Sequence, residues 1–475
     1  MASTTKARED RVYQAIAGEG KGYDLLRLGP VKAVFNSRLY PVVLQVIAAV
    51  VFGFIIFYGF FGPRMGEDNV AIVVTWRLWW EMLPFSFVLF GRLWCSICPI
   101  GASISLAHKV LPGRRALPSL FLRKYGVWIM AALFLGLFWT AMVRHICCWP
   151  KETAIFLVAL LVAAVATAVF YRGHTWCRYL CPLGTFGGLL SMVAPLGLRP
   201  DRRACLTQCR VDKAQLLKQE YRECPMHELP MSLDTNRNCN LCARCVKSCR
   251  NSSMRLATKA PGREIWALRR PIRGEALFIL ALVAIAFVEV VQTTRIYPNY
   301  MKWAAARFPV SNYDFIFSIS LLLLIGLVVA AYHLASSLSQ ASADEDADGE
   351  PIAFAYGYIP VVLGGYLGVP ILRLAAHWKR SAEIGINGLS FGLNPFQVGP
   401  TVKGSHYSID TPIVVVQILI TLAGALLAMY SIRRIAKRQS AERPFAVALP
   451  HMVLAGLLAV GLLILFLQPA GVILH

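Results

Sequence analysis

Nine stretches of about 20 residues are almost continuously apolar, near 40–62, 70–90, 125–143, 152–171, 275–293, 313–337, 353–376, 411–431 and 446–468. Such runs exceed what a buried strand or a soluble core helix needs. In lipid, a helix satisfies every one of its own backbone donors and acceptors, and the runs are too long for barrel strands. The pattern predicts an all-α polytopic membrane protein of about nine transmembrane helices. The polar intervals divide the chain into a cytoplasmic N-terminal segment 1–39, a four-helix membrane unit 40–198, a soluble insert 199–273 and a five-helix membrane unit 274–475.

Composition supports this division. The chain is 57% hydrophobic and 16% charged, against about 45–50% and about 25% for a soluble domain. The net charge of +22 gathers in three places. The interval after the second run holds Arg92, Lys109, Arg114, Arg115, Arg123 and Lys124 with no acid; residues 199–273 hold 17 Lys+Arg against 7 Asp+Glu; the interval after the eighth run holds Arg433, Arg434, Lys437, Arg438 and Arg443. With nine spans all three fall on one side, which the positive-inside rule makes the cytoplasm. The expected setting is a bacterial inner membrane, with the N-terminus inside and the C-terminus outside. The basic charge then faces anionic lipid, and no nucleic-acid partner is expected. Residues 1–30 contain no apolar h-region, so no cleaved signal peptide is expected.

All 13 cysteines lie between Cys95 and Cys249. Cys239-Asn-Leu-Cys242-Ala-Arg-Cys245-Val-Lys-Ser-Cys249 has the C-x2-C-x2-C-x3-C spacing of bacterial ferredoxins, in which three thiolates of a tight loop hold one cubane and the fourth ligates a second cluster. Cys224-Pro225 reads as the close of an earlier run, preceded by Cys205 and Cys209. One [4Fe-4S] cluster would then use Cys239, Cys242, Cys245 and Cys224. A second would use Cys205, Cys209, Cys249 and an unassigned ligand, with Asp212, His227 or another cysteine as candidates. A zinc ribbon and a disulfide framework are the competing readings; the four-Cys run and a reducing cytosol weigh against each in turn.

A repeat occupies the first membrane unit. Gly91-Arg-Leu-Trp-Cys95-Ser-Ile-Cys98-Pro-Ile-Gly101 echoes Gly173-His-Thr-Trp-Cys177-Arg-Tyr-Leu-Cys181-Pro-Leu-Gly184. Each copy sits at the inner end of an even-numbered span, where Pro-x-Gly opens a new helix whose N-terminus favours a thiolate. Cys95, Cys98, Cys177 and Cys181 would share a third cluster or a metal; thiol–disulfide exchange and plain structural turns remain open alternatives. On the outer side, His145, Cys147 and Cys148 suggest a copper or partner contact, against the simpler reading of small buried side chains. His333, His451, His377 and His406 are candidates for haem b or a quinone site, against ordinary interhelical hydrogen bonding.

The duplicated C-P-x-G motifs followed by a ferredoxin run resemble the membrane polyferredoxins, the group that includes NapH, the C-terminal half of NosR and the CcoG/RdxA/FixG proteins. The resemblance covers roughly residues 35–295. It places Cys95, Cys98, Cys177 and Cys181 on the paired motifs and Cys224, Cys239, Cys242, Cys245 and Cys249 on the ferredoxin ligands. It implies cytoplasmic-side [4Fe-4S] clusters and electron transfer linked to a quinol pool, a periplasmic or membrane redox partner, or copper handling. The chain departs from the group in three ways: no N-terminal flavin domain and no β-sandwich after the clusters are evident, and the last membrane unit has no counterpart. No Walker run and no G-x-G-x-x-G is present, which favours an electron-transfer subunit of an oxidoreductase complex over a self-contained dehydrogenase. A copper-handling or metalloenzyme assembly factor is the alternative.

Overall fold

The computed structural model describes residues 22–64, 69–111, 113–207, 224–249, 251–308, 312–343, 351–389, 411–440 and 442–469. Among them, nine helices are long and apolar enough to cross a membrane: α1 (Val42–Phe61), α2 (Val70–Phe90), α3 (Leu120–Val143), α4 (Pro150–Phe170), α5 (Arg273–Gln292), α6 (Tyr313–Ala341), α7 (Ala353–Ala376), α8 (Pro412–Gln439) and α9 (Pro444–Phe466). Each coincides with one of the nine apolar runs, α8 extending well beyond the apolar stretch as its last turns become basic.

The helices differ in how much of their apolar surface the protein itself covers. α5 is the central helix, 83% buried, whereas α1 is 11% buried and presents Val46, Ile47, Val50 and Val51 outward. An outward apolar surface of this kind is what lipid requires, because lipid tails gain nothing from being excluded. α5 packs on α6, α7 and α3, so it joins the two membrane units. α2 is not a uniform α-helix: residues Val73–Trp80 form a π-helical stretch, and Pro84 lies inside the helix.

The insert contains the sheet found among the described residues, a two-stranded antiparallel pair of β1 (Leu196–Pro200) and β2 (Met254–Thr258) with Pro200 opposite Met254. It starts three residues before the boundary expected from charge, because β1 is apolar at Leu196 and Leu198. The N-terminal segment is not separate from the insert. Asp24 pairs with Ala257, its carboxylate accepts from Leu256 N, and Leu26 is buried with Leu198, Leu233, Leu241, Met254 and Leu256.

The three basic intervals lie on one face. The insert connects to α2 through Arg92 Nη1, which donates to Arg237 O at 2.8 Å, and to the end of α8 through Arg438 Nη1, which donates to Trp266 O at 2.6 Å. A buried pair fixes the insert to the membrane core: Arg237 Nη1 lies 2.7 Å from Glu275 Oε2 of α5, and the Tyr356 hydroxyl donates to the same oxygen at 2.6 Å.

Candidate iron–sulfur site

The two copies of the repeat adopt the same local structure. Each begins at a glycine with positive φ, Gly91 at 65° and Gly173 at 63°, a region open to glycine and costly for other residues. A five-residue helix follows, Leu93–Ile97 in one copy and Thr175–Tyr179 in the other. The second cysteine of each copy, Cys98 or Cys181, is then the N-cap of a new helix with proline in its first turn, Pro99–Val110 or Pro182–Leu190. Proline fits there because the first-turn N–H groups have no intrahelical partner. The free N–H groups serve the sulfurs instead: Ile100 and Gly101 donate to Cys98, and Leu183 to Cys181.

The copies face each other. Cys177 and Cys181 lie within electrostatic reach of both Cys95 and Cys98, and the Arg92 guanidinium acts on Cys95, Cys177 and Cys181. Arg92 is only 3% exposed. Beside the cysteines in the chain, the indole N–H groups of Trp94 and Trp176, Arg92 Nε and His174 Nδ1 are buried without a partner. Native buried polar atoms rarely lack partners, so this cluster of orphans fits a sulfur-rich group at the site.

A second set of four thiols lines one cavity in the insert: Cys224, Cys239, Cys242 and Cys245, together with Leu198, Leu233, Met226 and Ala243. The loop that carries three of them turns sharply because Leu241 (φ 56°) and Ala243 (φ 60°) are left-handed. Alternation of that kind directs successive N–H groups into one concavity. Leu241 N–H serves Cys239, Arg244 N–H serves Cys242, and Met226 and Glu228 N–H serve Cys224. Behind the loop, Asn236 N donates to Glu264 Oε2 at 2.6 Å, and Glu264 also pairs with Arg199 and Lys259.

Burial pushes these thiols up, to about 11 for Cys98 and Cys224 and about 12 for Cys181 and Cys239, with Cys177 and Cys245 well above the usual value. The N–H donors oppose that effect without cancelling it. A metal or cluster bound at such thiols would take the place of their protons, so binding would release protons.

The two sets are neighbours. The Tyr40 hydroxyl donates to Leu241 O at 2.9 Å and lies 3.3 Å from Ser96 Oγ, touching both cysteine loops. Arg92 bridges them a second time, through Cys95 and through Arg237 O, two residues before Cys239. The 224–228 turn is docked on the second repeat by His174 N to Pro225 O at 2.7 Å and by Arg178–Glu228 at 2.8 Å.

Of the remaining candidates, Cys205 and Cys249 sit at one end of the strand pair. Cys205 follows Asp201, whose N–H donates to Ser253 O, and Ser253 N–H donates to Cys249 Sγ at 3.2 Å. Cys209 and Asp212 lie outside the described residues, as do His406 and the His377 side chain. His227 contacts Thr175 and Arg172 O, beside the second repeat. Cys147 and Cys148 place their sulfurs 3.9 Å apart, but His145 turns its ring toward Tyr313, 5.9 Å between centroids. Among the described residues, no three His, Cys, Asp or Glu side chains are close enough to grip one metal ion. His333 is exposed, whereas His451 is fully enclosed, stacked on Phe354 at 4.3 Å with Nδ1 2.9 Å from the Tyr358 hydroxyl.

Sequence comparison falls on the same geometry. Residues 72–118 and 153–199 each match the family described as a 4Fe-4S binding domain, once per copy of the repeat. The electron transport protein YccM of Escherichia coli (strain K12) is 32% identical over 97 residues, 20% of this chain and 24% of YccM. The chain thus spans about a quarter of the length of that relative. No solved structure matches. The role of Arg92, Tyr40 and the paired glycines was not evident from spacing; the recurrence of Gly at the same offset before each W-C pair was the available signal.

Proposed function

We propose that this protein is a membrane iron–sulfur electron carrier, working on the cytoplasmic face of a bacterial inner membrane. Cys224, Cys239, Cys242 and Cys245 hold one [4Fe-4S] cluster, and Cys95, Cys98, Cys177 and Cys181 hold another. Cys205 and Cys249 supply two ligands of a further insert cluster, with Cys209. The observation that carries this reading is the adjacency of two four-thiol sets, joined through Tyr40 and Arg92.

A bound cluster supplies one-electron chemistry at a potential set by charge and by hydrogen bonds to sulfur. The chain's own residues do the rest. The Ile100, Gly101, Leu183, Leu241 and Arg244 N–H groups hold negative charge on sulfur, Arg92 offsets part of it, and Leu198, Leu233 and Met226 exclude water. Electrons would arrive from, or leave to, a quinol pool or a redox partner protein.

Anaerobic iron and acid-labile sulfide analysis tests the ligand assignment. With two occupied sites the protein should carry about eight irons, and the further insert cluster would raise this to about twelve. Cys242→Ser and Cys177→Ser should each remove about four, and the double variant about eight, with the protein still in the membrane. Full iron content in either single variant would sink the corresponding site.

A further inference from the structure

A charged cluster among the membrane spans lies apart from both cysteine sets. Arg373 of α7 reaches Glu81 of α2 at 3.0 Å through Nη1 and Glu289 of α5 at 2.8 Å through Nη2. Glu81 is 5% and Glu289 7% exposed. Glu289 and Arg373 lie near the ends of their helices opposite the cysteine motifs, toward the 144–149 connection.

Ionisable groups inside a membrane protein are costly and are retained for function. The charge count shows what this group does. Among the described residues, the charged groups that act on Glu81 are Arg373 and Glu289. Two carboxylates against one guanidinium would leave an uncompensated negative charge in the bilayer, and one bound proton cancels it. Two neutral groups also lie at the triad, the Tyr366 hydroxyl beside Glu289 and Cys147 near Arg373. Pairing alone needs one acid and one base, as α5 shows in Glu275–Arg237, which ties the insert to it.

Two further observations point to a working site. The Tyr366 hydroxyl is 8% exposed, lies within reach of Glu289 and has no hydrogen-bond partner; Arg373 Nε has none either. The π-helical stretch Val73–Trp80 ends at the residue before Glu81, and such stretches recur where a helix has been re-aimed for function. The geometry points to a proton-binding site, in which Glu81, Glu289 and Arg373 together hold one exchangeable proton on the carboxyl pair. It lets the membrane core take up or release a single positive charge. The assignment is independent of the cluster reading.

Infrared spectroscopy of the full chain in lipid nanodiscs at neutral pH tests it. Difference spectra between the parent protein and its variants should show one protonated-carboxyl carbonyl band, downshifted on transfer to D2O. The band should vanish in E81Q and equally in E289Q, because either change leaves a balanced pair with Arg373. In R373Q it should double, both acids then being protonated; the two Gln variants keep the test decisive where R373Q fails to fold. A parent protein without the band, a band that survives in both Gln variants, or one that does not exchange would overturn the proposal.

Discussion

At the residue scale, the paired glycines combine positive φ with a place at the start of each cysteine repeat. A Cβ on Gly173 would lie 2.8 Å from His227 Cε1 and 2.9 Å from Pro225 O, the turn that presents Cys224. Holding alanine at φ 63° adds about 1–2 kcal/mol before any clash. Gly173→Ala should therefore lower stability by at least about 2 kcal/mol and reduce bound iron by loosening the 224–228 turn. Gly91→Ala meets Asn236 Nδ2 at 3.1 Å, away from the 224–228 turn, and pays mainly a backbone term of about 1–3 kcal/mol at φ 65°, ψ −148°, so it should keep its iron. Thermal melting with parallel iron analysis separates the two; equal behaviour would contradict the crowding argument. The spacing of Cys239, Cys242 and Cys245 was fully legible in the sequence, because one tight loop sets it. That Cys224 joins them was expected from Cys-Pro alone, and the cavity supplies the geometry.

At the scale of elements, the insert is held on the helices by few but buried polar contacts. Glu275 accepts from both Arg237 and Tyr356, and its side chain is only 5% exposed. Removing one partner of a buried pair costs about 3–5 kcal/mol because the other charge stays desolvated. Glu275→Ala should fall in that range and release the insert, seen as faster proteolysis between 199 and 273. Tyr356→Phe should cost only about 1 kcal/mol. Proteolysis unchanged in Glu275→Ala would show that the insert is held by its apolar contacts instead. Helix positions could be read from hydropathy since each span answers to lipid by itself. The π-helical stretch of α2 could not, because no local sequence pattern distinguishes it from a continuous α-helix; it exists where Glu81 must meet partners on α5 and α7.

For the whole molecule, acid should weaken the join between the second repeat and the insert. His174 and His227 are lowered by burial to about 3 and about 4, against 6.5 when exposed. The unfolded chain therefore binds protons first as pH falls below about 6.5, so stability present above that value is lost progressively toward pH 4 and below. The 5%-exposed His174 contributes at most about 1.4 kcal/mol per pH unit in that window. Melting temperature should drop between about pH 7 and pH 4 in the parent protein, with a shallower drop in His174→Gln. Identical slopes would remove His174 from the account.

The chain by itself determined what each segment can do alone: apolar runs long enough for lipid become helices, basic intervals gather on one face, and C-x2-C-x2-C or C-P pairs present sulfur from short loops. Those outcomes depend on neighbours a few residues away. Only the tertiary structure decided which cysteines line one cavity, that Tyr40 and Arg92 join the two cysteine loops, and that Arg373 stands between Glu81 and Glu289 from separate spans. Residues hundreds of positions apart meet through packing, and the cost of burying their charge or thiol is set by what surrounds them after folding, which no local pattern records.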